Sequence, residues 1–415
     1  MHAGRRRPAT TTRPAPEAIW RSPQVADAGV ADLSGDGRPD IVLADRSAGA
    51  AVVLFADATG RFTAGDGYLV GSAPERVLAG DVDGDGHADA IVFDRLAGGA
   101  TWLRGRGDGT LAGVPCTLGR FGALVAMVSE DFDGDEHPDL AAISEESGAL
   151  GVFLGVGDGR FRPLPPIDIG RRPRALAVGD FNQDEKPDLA VVAFNGDEVA
   201  VLLGLGEGRF APPRSVKVGG GPVAISVGSF ASPLSVDLAV VNSLSDSVSI
   251  LYGDGHGGFP SVVSQPVPAR PTFLIVGDTN QDGNQDLVVG SAYSPTIAIL
   301  LGNGHGLDAP TSTTLGGTAQ PAAAEDLDRD GQMDLINPDA LGGAVEVRPG
   351  ERPGEFGRPI RLAVGRAPQA LATGDFDRDG RIDIAVADRA GSTIAILLNR
   401  SPAPTPPRGH GDGPA

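Results

Sequence analysis

The chain has 415 residues, 41% of them hydrophobic, with 61 Gly, 34 Pro and a formal charge of −20. It is too apolar for a disordered chain, and its acidic balance argues against a nucleic-acid partner, because phosphate binding needs clustered Lys and Arg. No apolar run reaches the roughly 20 residues of a membrane helix, and the single cysteine, Cys116, excludes an internal disulfide.

Residues 1–16 are basic and rich in Pro and Thr, without the apolar stretch of a secretory signal. A disordered segment is expected there. "EAIWRSP" (17–23) reads as a short strand, and from it to residue 399 the chain repeats itself. Aligned on one acidic position, the units meet at Asp32, Asp81, Asp131, Asp180, Ser229, Asp278, Asp326 and Asp375, spaced by 48 to 50 residues. Such a period marks a solenoid, a propeller or an array.

The fourth unit shows the plan. "RALAVGDF" (174–181) leads into an acidic loop; "DLAVVAF" (188–194) and "EVAVLLG" (198–204) follow as short apolar runs. Then come a glycine turn, "GLGEGRF" (204–210), and a polar strand, "APPRSVKVG" (211–219). No apolar period of 3.6 persists, and Gly and Pro recur too often for helices. Four strands per unit predict an all-β fold, a single β-propeller of eight four-stranded blades. The last unit ends at "TIAILLN" (393–399) before a Pro- and Gly-rich tail (400–415) that is expected to be disordered. It lacks an outer strand, so residues 17–23 are expected to complete the last blade and remove its open edge. A seven-bladed ring with one leftover unit is the alternative.

In seven of the eight units the loop after the first strand follows D-x-[DNS]-x-D-x-x-x-D. Hard Ca²⁺ takes six to eight oxygens from such carboxylate-rich turns. Side chains at positions 1, 3, 5 and 9 and the carbonyl at 7 suit that geometry, and Gly at position 6 lets the chain curl. "GDFDRDGRIDIAVAD" (374–388) resembles the FG-GAP or VCBS repeat, the calcium-binding blade of integrin α-chain propellers and many bacterial secreted proteins. The resemblance covers residues 17–399. It implies ligands Asp32, Ser34, Asp36 and Asp40 in the first loop, and Asp81, Asp83, Asp85 and Asp89 in the second. The third takes Asp131, Asp133, Asp135 and Asp139, and the fourth Asp180, Asn182, Asp184 and Asp188. Asp278, Asn280, Asp282 and Asp286 form the sixth set, and Asp326, Asp328, Asp330 and Asp334 the seventh. Asp375, Asp377, Asp379 and Asp383 form the eighth.

The fifth loop, "SFASPLSVD" (229–237), keeps only Asp237 and is expected to hold no ion. Glu136 and Glu185 replace the position-6 glycine, and Ser34 is a weaker, neutral oxygen. About seven Ca²⁺ are thus implied, moving the formal charge from −20 to −6. Structural cross-linking in place of disulfides is their expected role.

Little else suggests chemistry. His87 and His137 fall at position 7 of calcium loops, His256 and His305 in glycine turns, and His2 and His410 in the tails. No Ser-His-Asp set or phosphate-cradling loop is present. Arg106-Gly107-Asp108 matches an adhesion tripeptide, yet it sits in a repeated turn, with "LGVGDGRF" and "LGLGEGRF" at the same place in the third and fourth units. The resemblance places ligands on the face opposite the calcium loops. There, "ADRSAG" (44–49), "FDRLAG" (93–98) and "ADRAGS" (387–392) give a candidate polar patch of Asp45, Arg46, Asp94, Arg95, Asp388 and Arg389. Arg171, Arg172, Arg270 and Arg366 are expected to border it.

The expected function is non-enzymatic binding or adhesion to a protein or a surface polysaccharide, outside the cell or in the periplasm, with no nucleic acid and no membrane span. A carbohydrate-active propeller is the alternative. A lectin would want more aromatic faces than Trp20, Trp102, Tyr68, Tyr252 and Tyr293. A polysaccharide lyase would need a base, for which Lys186 beside the fourth loop is the candidate.

Overall fold

The computed structural model describes residues 25–401 except 97–98, 117–123, 159, 171, 233, 316–322, 353, 389 and 391–392. Each repeat unit forms its own antiparallel sheet, with strands in chain order from the axis outward. Blade 1 comprises Val25–Ala31, Asp40–Asp45, Ala50–Ala56 and Phe62–Leu69. Blade 5 comprises Pro222–Gly228, Asp237–Asn242, Ser247–Tyr252 and Ser261–Pro266. In blade 3 the outer position is shared by Phe161–Pro163 and Ile167–Asp168, both paired to Ala149–Gly155.

Burial follows radial position. Every second strand is buried along its whole length. Neighbouring blades cover both of its faces, so runs such as "DLAVVA" need no polar alternation. First strands are half-buried and pack against the first strands of adjacent blades around the axis. Outer strands such as Ser261–Pro266 are exposed, including Val262 and Val263.

Eight apolar clusters fill the eight interfaces between blades. One of them joins Ile41, Leu43 and Val52 of blade 1 to Phe376, Ala385 and Ile394 of blade 8. Phe62 meets Phe376 edge to face at 5.3 Å, and Arg378 Nε donates to Gly37 O at 2.6 Å. These contacts close the ring at eight blades and exclude the seven-bladed alternative. Three strands of blade 8 are described, Pro368–Gly374, Asp383–Asp388 and Thr393–Leu397. The expected closing strand over 17–23 and both expected disordered tails lie outside the described residues, apart from Arg400 and Ser401.

Because first and second strands are antiparallel, all the acidic loops emerge on one rim. All the turns between second and third strands emerge on the other.

Candidate metal centres and the opposite rim

Position 9 of the acidic loop opens the second strand, and in all eight blades it is buried, at most 2% exposed. Its Oδ2 accepts an N–H from the start of its own loop at 2.8–3.0 Å. Its Oδ1 accepts the N–H sixteen residues on, just past or at the end of the third strand, at 2.6–3.0 Å. One carboxylate thus ties three segments of a blade together. The third strand must come close for this, which explains the glycine found there in six blades. A Cβ on Gly253 would stand 2.2 Å from Val236 O, and one on Gly105 2.0 Å from Ala88 O. Burial outweighs the donated N–H groups in setting acidity. It pushes Asp89 and Asp188 up to about 6, and Asp139, Asp334 and Asp383 up to about 7.

The remaining loop positions fold around their own carboxylates. Position 1 accepts N–H groups from positions 5 and 6, as where Asp379 and Gly380 donate to Asp375 at 3.0 and 2.7 Å. Position 5 accepts the N–H of position 7 at 2.8–3.1 Å in all seven acidic loops. These are the local side-chain bonds Asp favours in turns. They make the loop a preformed cup.

The cup needs left-handed backbone at two places. Position 6 has φ between 64° and 91°, whether it is Gly331, Glu136 or Glu185. Position 4 is left-handed as well, from Gln281 at 55° to Gly134 at 83°. A side chain there costs energy that glycine avoids. Glu136→Gly and Glu185→Gly are each expected to stabilise the fold by about 0.5–1 kcal/mol, read as a higher urea midpoint at unchanged m-value.

Position 2 tethers one blade to the next. Phe181 is buried and meets Phe259 of blade 5 edge to face at 5.6 Å, while its carbonyl accepts Gly257 N at 2.9 Å. Phe132 does the same with Phe210 and Gly208 of blade 4, at 5.7 and 3.0 Å. Each of these loops is therefore braced by the turn of the following blade.

Four loops gather three carboxylates with oxygens within 4.8 Å of one another: Asp81, Asp83 and Asp85; Asp131, Asp133 and Asp139; Asp326, Asp328 and Asp334; Asp375, Asp377 and Asp383. Loops 1, 4 and 6 have Ser34, Asn182 and Asn280 at position 3, and no acid trio that close is found there among the described residues. Burial, and then the neighbouring position-5 carboxylate, raise Asp83, Asp133 and Asp328 above the usual range. Asp83 is 5% exposed and neither of its carboxylate oxygens has a hydrogen-bond partner. An orphaned buried oxygen among acids is a costly arrangement that a hard cation relieves. The residues present fit a Ca²⁺-sized ion with oxygen ligands.

The fifth loop is the internal control. It has no acid at positions 1, 3 or 5, yet Asp237 still takes Phe230 N at 2.9 Å, Ala231 N at 3.1 Å and Gly253 N at 2.8 Å. Position 9 therefore has a structural task separate from any ion.

On the opposite rim the candidate polar patch needs correction. Asp45, Asp94 and Asp388 are buried, at most 3% exposed, and cap backbone turns. Asp45 accepts Ser47 N at 2.9 Å, Asp94 accepts Ala73 N at 3.0 Å, and Asp388 accepts Ala367 N at 2.7 Å. Their desolvated carboxylates are not presented to a ligand. Arg46, half-buried, and Arg95, exposed, converge on Glu75, at 2.7 and 3.8 Å, rather than on their sequence neighbours. Arg389 and Arg171 lie outside the described residues. Arg172 pairs with Glu145 at 2.8 Å, and Arg270 stacks over Tyr293 at 4.2 Å. The Arg366 backbone N–H donates to Asp388 at 2.9 Å.

Beside Glu75, the first strands of blades 2 and 3 stand further apart than other neighbours. A cavity of about 320 Å³ opens there, lined by Asp27, Arg76, Leu78, Phe93 and Met127. The tips of this rim are apolar: Leu96, Leu244, Tyr293 and Leu341 are 63–85% exposed in equivalent turns of blades 2, 5, 6 and 7. On the acidic rim, Lys186 lies 3.6 Å from Asp184, and Asp108 holds Thr110 N at 2.9 Å.

A family model described as an FG-GAP-like repeat matches residues 32–92, 131–191 and 278–336. No protein of curated function matches the chain in sequence. Among solved structures, the chain is similar to BBS1N, crystallised in complex with ARL6DN and soaked with lead, with TM-score 0.51 and 13% identity, covering 93% of this chain and 99% of that one. It is similar to an Agrocybe aegerita lectin that recognises non-reducing terminal N-acetylglucosamine, with TM-score 0.54, 16% identity and coverage of 93% and 98%. A functionally unknown protein from Desulfotomaculum acetoxidans DSM 771 gives TM-score 0.55, 11% identity and coverage of 80% and 97%. At these identities the likeness speaks for the fold alone.

Proposed function

This chain is an eight-bladed β-propeller carrying FG-GAP-like repeats, and we propose that it is a calcium-stabilised, non-enzymatic binding module that takes a protein partner on the rim opposite its acidic loops. The observation that carries the reading is the contrast between the two rims. One rim concentrates carboxylate cups, with Val156, Leu205 and Leu234 its exposed large apolar side chains; the other presents Leu96, Leu244, Tyr293 and Leu341 at turn tips, with Arg46, Arg95 and Arg270 around them. Exposed apolar side chains framed by arginines are the ingredients of protein interfaces.

The ions are held by the side chains at positions 1, 3, 5 and 9 of seven loops, where calcium supplies the positive charge that the clustered carboxylates lack. Such sites suit calcium-rich surroundings outside the cell. No described helix is long and apolar enough to cross a membrane. The similar structures include one solved with a protein and one whose lectin recognises a sugar, so both ligand classes are compatible with the architecture. Here the exposed tips are mostly aliphatic, with Tyr293 the one aromatic among the large exposed hydrophobic side chains described. Sugar rings stack on flat aromatic faces, so a protein is favoured over a glycan.

The test is to probe arrays of extracellular proteins and of glycans with the calcium-loaded chain. Binding to a protein that Leu244→Asp with Leu341→Asp weakens at least tenfold, at unchanged melting temperature, is expected. Hits confined to glycans, or formation of unsaturated uronate from a uronic-acid polysaccharide, would overturn the reading in favour of a carbohydrate-active propeller.

A further inference from the structure

Loops 2, 3, 7 and 8 share one composition, Asp at positions 1, 3, 5 and 9, but not one environment. In loop 2 Arg104 reaches in from the third strand, with Nε 2.7 Å from Asp83 Oδ2 and Nη2 3.0 Å from Asp85 Oδ2. In loop 8 Arg400 follows the third strand and places Nη1 2.7 Å from Asp377 Oδ2 and 3.1 Å from Asp379 Oδ2, where Arg381 of the loop itself also pairs with Asp379. The two arginines enter from different sequence positions, yet both bridge positions 3 and 5. Among the described residues, no Lys or Arg forms an ion pair with the four aspartates of loop 3 or of loop 7. Loops 3 and 7 are therefore matched controls within one chain.

We propose that Arg104 and Arg400 are built-in counter-cations that compete with a divalent ion, so that loops 2 and 8 form a second, weaker class of calcium sites beside loops 3 and 7. The inference rests on the calcium reading above and adds a ranking to it. A guanidinium bridging two carboxylates occupies charge and lone pairs that a metal needs. Position 3 is the critical member: its side chain is fully buried in Asp83 and 4% exposed in Asp377. Even so, neither Asp83 oxygen has a hydrogen bond, the Arg104 contact to Oδ2 being an ion pair alone, so the arginine neutralises the cup incompletely and an ion retains a reason to enter. Both guanidinium groups are partly solvated, with side chains 43% and 42% exposed, so they can swing out without unfolding the blade. Arg104 also lies over the Trp102 ring, 5.7 Å from its centroid. Trp102 is buried, so it reports on loop 2.

The experiment uses the full chain in a Trp20→Phe background, leaving Trp102 as the sole tryptophan. Tb³⁺, which takes the same hard oxygen ligands, is titrated while its luminescence is excited through Trp102, and calcium binding is followed by calorimetry. The expected calorimetric result is two classes of site, with loops 3 and 7 tight and loops 2 and 8 weak beside loops 1, 4 and 6, whose position 3 is neutral. Arg104→Gln should lower the Tb³⁺ midpoint at loop 2 by roughly fivefold, the scale of a partly exposed ion pair. Arg400→Gln should leave that midpoint in place and shift about one ion from the weak to the tight class. An unchanged or higher midpoint in Arg104→Gln, or a single class of sites in the parent chain, would overturn the inference while leaving calcium stabilisation intact. Absence of any calcium binding would overturn both.

Discussion

On the proposed calcium reading, removing calcium is expected to lower the melting temperature by on the order of 20 °C. A site filled at a hundred times its dissociation constant contributes about 2.7 kcal/mol, and a chain of this size shifts by about 1 °C per kcal/mol. Seven such sites give that order. The cause is plain in the loops, where preformed cups hold carboxylates whose repulsion only a cation relieves. A melt in millimolar Ca²⁺ and again after chelation, with bound calcium counted per chain, checks it. About seven ions and a large shift support structural stapling; no shift, or one or two ions, would leave the cups as hydrogen-bonded turns.

The same experiment has a pH dependence of known sign. Asp139, Asp334 and Asp383 are pushed up to about 7 and Asp89 and Asp188 to about 6, against an ordinary value of 3.8, first by burial. A raised folded value favours the protonated form. Their contribution to metal-free stability is therefore fully present below about 4 and is lost as pH rises through 6 to 7. Calcium needs the ionised forms, so it reverses the trend. The chelated protein is expected to melt higher at pH 5 than at pH 7.5, the calcium-loaded protein lower.

Asp237→Ala is expected to cost about 3 kcal/mol or more, equally with and without calcium. The reason lies in the three backbone N–H groups this buried carboxylate accepts, each costing about 1–3 kcal/mol when left unpaired. Its loop has no other acid, so no ion can account for the loss. Asp328→Asn provides the contrast. It keeps an oxygen for Asp330 N, which donates to Asp328 at 3.1 Å, so its effect should appear mainly in calcium. Chemical denaturation of both variants in calcium and in chelator separates the two roles. If Asp237→Ala proves neutral, position 9 is only a ligand and the clamp is wrong.

Several features were legible because they are periodic or local. The recurrence of Asp32, Asp81 and Asp131 shows the repeat, and the apolar runs after each loop show strands buried on both faces. The loss of acids between Ser229 and Val236 marks the altered fifth loop. Other features were not, because they join residues far apart in the chain. Asp40 looks like one more loop acid, yet the N–H of Ala56 makes it a clamp. Phe181 reads as an ordinary apolar residue, and only its contact with Phe259 shows it bracing two blades. The Asp-Arg pairs at 45–46 and 94–95 read in sequence as a polar patch open to a ligand. Turn capping takes the aspartates inward, and Glu75 claims the arginines.

The sequence alone thus determined the architecture, the number of units and the positions of the acidic cups. Strand period, turn chemistry and carboxylate spacing act over fewer than ten residues, the strand pattern repeated eight times and the carboxylate spacing seven. Tertiary structure decided which carboxylates face a cup and which are spent on backbone, and which loops receive an arginine. Those outcomes depend on the approach of the third strand, whose Arg104 and Gly105 are neighbours in sequence. One reaches Asp83 and the other bonds to Asp89. Alternation along a strand points successive residues to opposite sides, and only the packed blade settles what each side meets.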